Sequence, residues 1–114
     1  MALNHVSNIT PVLVPSSAGS IMTHSSGKTY VRGMIFYNSA GTTETLEVHV
    51  IPNSGGSLGT AAATNRVLRI SLLSSETFTW ELPFPFVFTS ANDAIFAKST
   101  TNNVVVAYIL KDTE

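Results

Sequence analysis

The chain holds 114 residues, 44% hydrophobic and only 11% charged, with six Lys and Arg against seven Asp and Glu and a formal net charge of −1. That length supports one domain, residues 1–114, and there is no basic excess to neutralise a phosphate backbone, so nucleic-acid binding by charge is not expected. Cysteine is absent, which removes disulfides, thiol nucleophiles and cysteine-ligated zinc and fits manufacture in a reducing cytoplasm; no apolar run approaches the ~18 residues of a membrane span.

Met1–Asn8 lacks the basic-then-apolar order of a signal peptide, so none is expected. The run Ile9-Thr10-Pro11-Val12-Leu13-Val14 reads as a strand, at an edge or broken, because Pro11 has no N–H to give. Turns at Ser16–Gly19 and Ser25–Lys28 flank a short strand, Ser20–His24. Thr29–Asn38 is the first long strand, with Met34, Phe36 and Asn38 on one face and Val31, Gly33, Ile35 and Tyr37 on the other. Glu44–Ile51 alternates cleanly. Leu46, Val48 and Val50 point one way and Glu47 and His49 the other, which predicts one wet face. Ala61-Ala62-Ala63 carries helix propensity, but the segment supports only a single turn or an ordered loop.

Arg66–Leu73 reads as a strand with Leu68, Ile70 and Leu72 on one face. Thr77–Leu82 reads as another with Phe78, Trp80 and Leu82, so Trp80 is expected in the core. Pro83 and Pro85 bracket Phe84 and block regular pairing there, leaving Phe86–Phe88 as a separate short strand. Ala91-Asn92-Asp93 is a turn before the strand Ala94–Ser99. The Val-rich strand Val104–Lys111 is apolar almost throughout, and is expected to be buried on both faces or to lie at a subunit contact. About eight strands at 8–12-residue spacing, with no long helix, mean an antiparallel sandwich or barrel. Val, Ile and Thr together number 32, and Ser and Thr 28. These counts favour a pleated body with a hydroxyl-rich surface. So little charge gives poor protection against association, which suits a chain that works inside an assembly.

No residue pattern announces chemistry. His5, His24 and His49 share no spacing that makes a local metal pair. The carboxylates read as solubility and turn groups, Asp93 after Asn92 in particular. Glu47 and Glu81 are the pair whose wet-face positions leave a facing arrangement open. No Ser sits in a Gly-x-Ser-x-Gly elbow. Gly55-Gly56-Ser57-Leu58-Gly59 lacks the Lys-Ser or Lys-Thr of a phosphate loop. The aromatic residues remain: a sugar-stacking platform, or core and subunit contacts. Tyr30, beside the turn after Lys28, is the aromatic most expected at the surface, and Phe84, Phe86 and Phe88 read as core or contact. No catalytic, cofactor or metal residue is assigned, and the chain is expected not to be an enzyme.

The segment order does resemble something. Gly27-Lys28-Thr29 precedes a strand ending Tyr37-Asn38, then Ser39-Ala40-Gly41-Thr42, the alternating strand Leu46–Ile51 closed by Pro52, and Gly55-Gly56. Arg66-Val67-Leu68, Ile70-Ser71-Leu72, Glu76-Thr77-Phe78, the turn and strand Asn92–Ser99 and a final Val-rich strand follow. Over roughly residues 27–112 this resembles the small jelly-roll virion proteins of tailed bacteriophages, of capsid decoration (cement), tail or fibre type. Their Gly-Asp turn is replaced here by Asn92-Asp93. The resemblance implies an all-β, antiparallel jelly-roll-like β-sandwich of about eight strands and a homotrimer. It implies docking on the major capsid protein or other virion proteins, at the capsid surface, without catalysis, cofactor, nucleic acid or membrane. In that reading residues 1–11 form an N-terminal arm whose Leu3, Val6 and Ile9 clamp the shell, and Tyr30 and Phe84 join the interface. A tail, baseplate or fibre component is the alternative, and a small carbohydrate-binding module the second.

Overall fold

The computed structural model describes residues 4–7 and 11–114. Nine strands are described: β1 (Asn4–Ser7), β2 (Val12–Leu13), β3 (Gly19–Thr23), β4 (Thr29–Asn38), β5 (Glu44–Ile51), β6 (Arg66–Leu72), β7 (Thr77–Phe88), β8 (Ala94–Ser99) and β9 (Val105–Thr113). One sheet runs β1-β9-β4-β7, with β2 also on β9; the other runs β3-β8-β5-β6. Every pairing is antiparallel. With β1 and β2 taken together as the first strand, this is the strand order of a jelly roll: two four-stranded sheets, between which successive strands cross except from β5 to β6. The expected all-β sandwich of about eight strands is the fold observed.

Alternation makes each sheet two-faced. Val31, Met34 and Phe36 of β4, Leu46 and Val48 of β5, Ile95 and Ala97 of β8, and Val105, Ala107 and Ile109 of β9 meet between the sheets, all essentially inaccessible. Burying one of the larger of these side chains contributes about 1.5–3 kcal/mol. A smaller cluster of Ile51, Ala94 and Phe96, with Ala61 against it, is separate from this core. The expected single turn is there as a 3₁₀ turn, Ala63–Asn65.

Three expectations are corrected, the first two by irregular pairing. Val31 belongs to the core with Met34, not to the opposite face, because the register shifts between Val31 and Gly33. An extra residue in a strand exchanges the faces of everything beyond it. The prolines do not split the strand: β7 runs unbroken from Thr77 to Phe88. Regular pairing does stop where they stand. Phe86 faces Val31 and Glu81 faces Gly33, so residues 82–85 bulge opposite Arg32 alone. β7 is the edge of its sheet, where missing N–H groups are tolerated. Gly33 lies in this bulge, and a Cβ there would stand 2.7 Å from the Trp80 carbonyl oxygen. Third, His49 is buried, not on a wet face. It keeps the face of Glu47, with Nε2 3.8 Å from that carboxylate, while Val50 still packs on the main core; the 3₁₀ turn covers the ring from outside.

Candidate functional site

Of the polar side chains that sequence reasoning weighed for chemistry, His24, His49, Glu44 and Asp93 are occupied in holding loops. His24 is buried and spans its own turn. Its Nε2 donates to the Gly27 carbonyl at 3.0 Å, so Nδ1, 3.0 Å from Thr29 Oγ1, is the acceptor for that hydroxyl. His49 Nδ1 faces two acceptors, the Ala62 carbonyl at 3.1 Å and Asn65 Oδ1 at 2.9 Å, and therefore carries the proton. Glu44, also buried, accepts from Thr101 N–H at 2.6 Å and Thr101 Oγ1 at 2.8 Å. Asn38 Nδ2 faces the Thr42, Leu72 and Leu73 carbonyls at 2.9 to 3.1 Å, tying two loops to the end of β4.

Asp93 does the turn work expected of it. Its carboxylate accepts from Asn53 N–H and Nδ2 at 2.9 Å and from Ser90 N–H at 3.2 Å. Desolvation raises its pKa, but hydrogen bonds from Asn53, Ser90 and Thr89 outweigh this and hold the group below its ordinary 3.8. The preceding Asn92 takes φ 69°, a left-handed turn that Asn adopts at low cost. In the Gly55-Gly56 loop, Gly56 N–H is already bound to Asn53 Oδ1 and the Gly56 carbonyl to Asn92 Nδ2. The loop is a clamp on the Asn92-Asp93 turn and offers no amide cradle.

Glu47 and Glu81 do not face each other. Glu47 sits on the outside of β5 between Arg69 and Lys98, its register partners on either side. Arg66 is 3.5 Å and Arg69 3.6 Å from its carboxylate. Glu81 is exposed at the other sheet's edge, opposite Gly33. Arg32 pairs with the buried carboxylate of Asp112. No group of three metal-ligating side chains exists among the described residues, and no described helix is long and apolar enough to cross a membrane. The hollow between the β3–β4 turn and the chain end, of about 340 Å³, is lined by residues that include Met22, His24, Lys111 and Glu114.

Two apolar surfaces stand out instead. The first is the outer face of the β1-β9-β4-β7 sheet. Tyr37 faces Val106, which faces Leu13; Ile35 faces Tyr108; Thr77 and Thr79 continue these two rows onto β7. Leu13, Tyr37 and Leu110 are exposed. The last strand is thus buried on one face only. Its other face carries Val106, Tyr108 and Leu110 into this open sheet surface.

The second surface is the open edge of the sandwich, where β6 and β7 each end their sheet. Leu68 and Ile70 of β6 and Phe78, Trp80, Leu82 and Phe86 of β7 touch the core but are only partly buried. Trp80 therefore lines the core's rim, edge-on to Phe86 with ring centroids 6.0 Å apart. The bulge above them holds Phe84 out at 82% exposure, and Leu73, in the β6–β7 connection, is 61% exposed.

Of the residues expected at an interface, Phe84 is fully presented. Tyr30 is half-buried, and its hydroxyl donates to Glu114 Oε2 at 2.9 Å. That hydrogen bond first, then desolvation and the Glu114 charge, holds the phenol above its ordinary 10.0. The backbone of Val6 lies in β1, opposite Lys111. Leu3 and Ile9 fall outside the described residues. The outer-face group of Ile35, Tyr37, Val106 and Tyr108 was missed. Its alternation is visible in the sequence, but which face meets the other sheet is not. No protein-family model matches the chain, and no curated protein matches it.

Proposed function

We propose that the chain is a structural protein of a tailed-bacteriophage particle, a capsid decoration protein. In this reading it docks on the outer surface of the shell and stabilises it by non-covalent contact with the major capsid protein. The observation that carries the reading is the open outer sheet face, with Tyr37, Tyr108, Ile35, Val106 and Leu13 side by side. Apolar patches rimmed by polar groups mark interaction sites, and tyrosine gives contact area at low entropy cost. His24, His49, Glu44 and Asp93 are committed to loops, and Glu47 and Glu81 stand on different sheets without facing each other, which favours association over reaction. Repetition over a shell lattice multiplies weak individual contacts. The segment order of turns and strands supplies the phage context.

The test is to purify the particles produced by the phage that encodes this chain and to locate it by mass spectrometry and cryo-electron microscopy. Density at every equivalent position of the shell is expected. Copies confined to the tail would replace this reading with the tail or fibre alternative, and absence from the particle would overturn both. One observation favours a second reading: Tyr37 and Tyr108 lie on the same open sheet face, where a sugar ring could stack. Glycan-array binding abolished by Tyr37→Ala would establish the carbohydrate-binding module in place of the shell protein.

A further inference from the structure

The open edge of the sandwich has the anatomy of an interface between copies. Its centre is apolar and half-covered: Phe78, Trp80, Leu82 and Phe86 from β7, and Leu68 and Ile70 from β6. These side chains already pack on the core, so a second body completes a burial that the fold leaves unfinished. Its rim is charged with opposite signs on the two strands. Arg69 lies on β6, 62% exposed in its side chain and only 3.6 Å from Glu47. Glu81 lies on β7, exposed, with no ion pair among the described residues. Each is six residues from Ser75, in the connection that links the strands. In extended chain that is about 20 Å, so the two charges stand at similar heights on either side of the apolar strip. An apolar centre with a polar rim is how specific interfaces are built.

From this placement we infer that a second copy of this chain covers the edge. The copies are related by a rotation axis parallel to the strands, so that β6 of each meets β7 of the next. That symmetry sets Arg69 against the neighbour's Glu81 at every contact and gathers Trp80, Phe84 and Phe86 about the axis. The arrangement closes on itself as a dimer or trimer. Pro83 and Pro85 remove two N–H groups from the β7 edge, so the copies meet through side chains and not by extending the sheet. The inference stands whether or not the chain belongs to a virion.

Sedimentation velocity of the intact protein over a wide concentration range tests it, with the only tryptophan as a second readout. Mass rises to a fixed dimer or trimer, and the Trp80 emission shifts to the blue with reduced acrylamide quenching as it does so. Phe84→Asp and Leu73→Asp alter exposed side chains and leave the circular dichroism spectrum intact, yet each weakens self-association on the order of tenfold or more. Leu13→Asp, on the outer sheet face, leaves it unchanged. Arg69→Glu and Glu81→Arg each weaken it, and the double variant restores it. A monomer at all concentrations overturns the inference. So does an oligomer indifferent to Phe84→Asp and Leu73→Asp, or a charge swap that fails to rescue.

Discussion

At the scale of single residues, the buried polar groups act as staples. Glu44 holds both the N–H and the hydroxyl of Thr101 from inside the sandwich. Glu44→Ala strands those donors and is expected to cost about 1–3 kcal/mol, read as a lower urea midpoint with unchanged slope. Asp93 links stability to pH. Its folded pKa lies below the ordinary 3.8, so the folded state favours the ionised form. The stabilisation is complete above the unfolded value and is lost as the pH falls through the folded one. Urea midpoints measured across the acid range should therefore fall less steeply for Asp93→Asn than for the parent. Equal slopes would remove Asp93 from the account. Trp80 and Phe36 form a pair of contrasts. Phe36 is fully buried, and Phe36→Ala should cost roughly 3–5 kcal/mol. Trp80 sits at the open edge, so Trp80→Ala should cost less, despite the larger side chain removed.

At the scale of elements, strand identity follows from alternation, while faces follow from bulges. The limits of β4 and β5 were readable to the residue from Thr29–Asn38 and Glu44–Ile51, because period-two patterning and flanking Gly, Ser and Asn turns agree there. Parity failed at Val31, because one extra residue in a ladder reverses every face beyond it and no local signal announces it; at His49 parity held, and it is the 3₁₀ turn that covers the face the alternation left wet. The bulge against β7 is testable at Gly33. A methyl group there meets the Trp80 carbonyl at 2.7 Å, and backbone cannot step aside as a side chain can. Gly33→Ala should destabilise by roughly 1–3 kcal/mol. The candidate surfaces were legible only in part. Phe84 between two prolines announced itself, whereas the Tyr37–Tyr108 face required knowing that β4 lies beside β9.

At the scale of the whole molecule, the first and last described strands share one ladder, with β1 and β2 both on β9. Such non-local pairing must close long loops before any contact stabilises it. Refolding should therefore occupy roughly milliseconds to seconds, followed by stopped-flow fluorescence of Trp80; microsecond refolding would contradict the topology. The small charged fraction also acquires a location. Asp112 is buried, with Arg32 paired to it, Glu47 collects Arg66 and Arg69, and the two open apolar surfaces keep charge to their margins.

The amino-acid sequence alone determined the all-strand class, the turns and most strand limits. Those depend on side-chain period, on Pro and Gly, and on composition, all of which are local. Only the tertiary structure decided which faces close on each other, which polar groups are spent as staples, and which apolar side chains are left uncovered. Burial is a property of two surfaces meeting, and the partner surface lies far away along the chain.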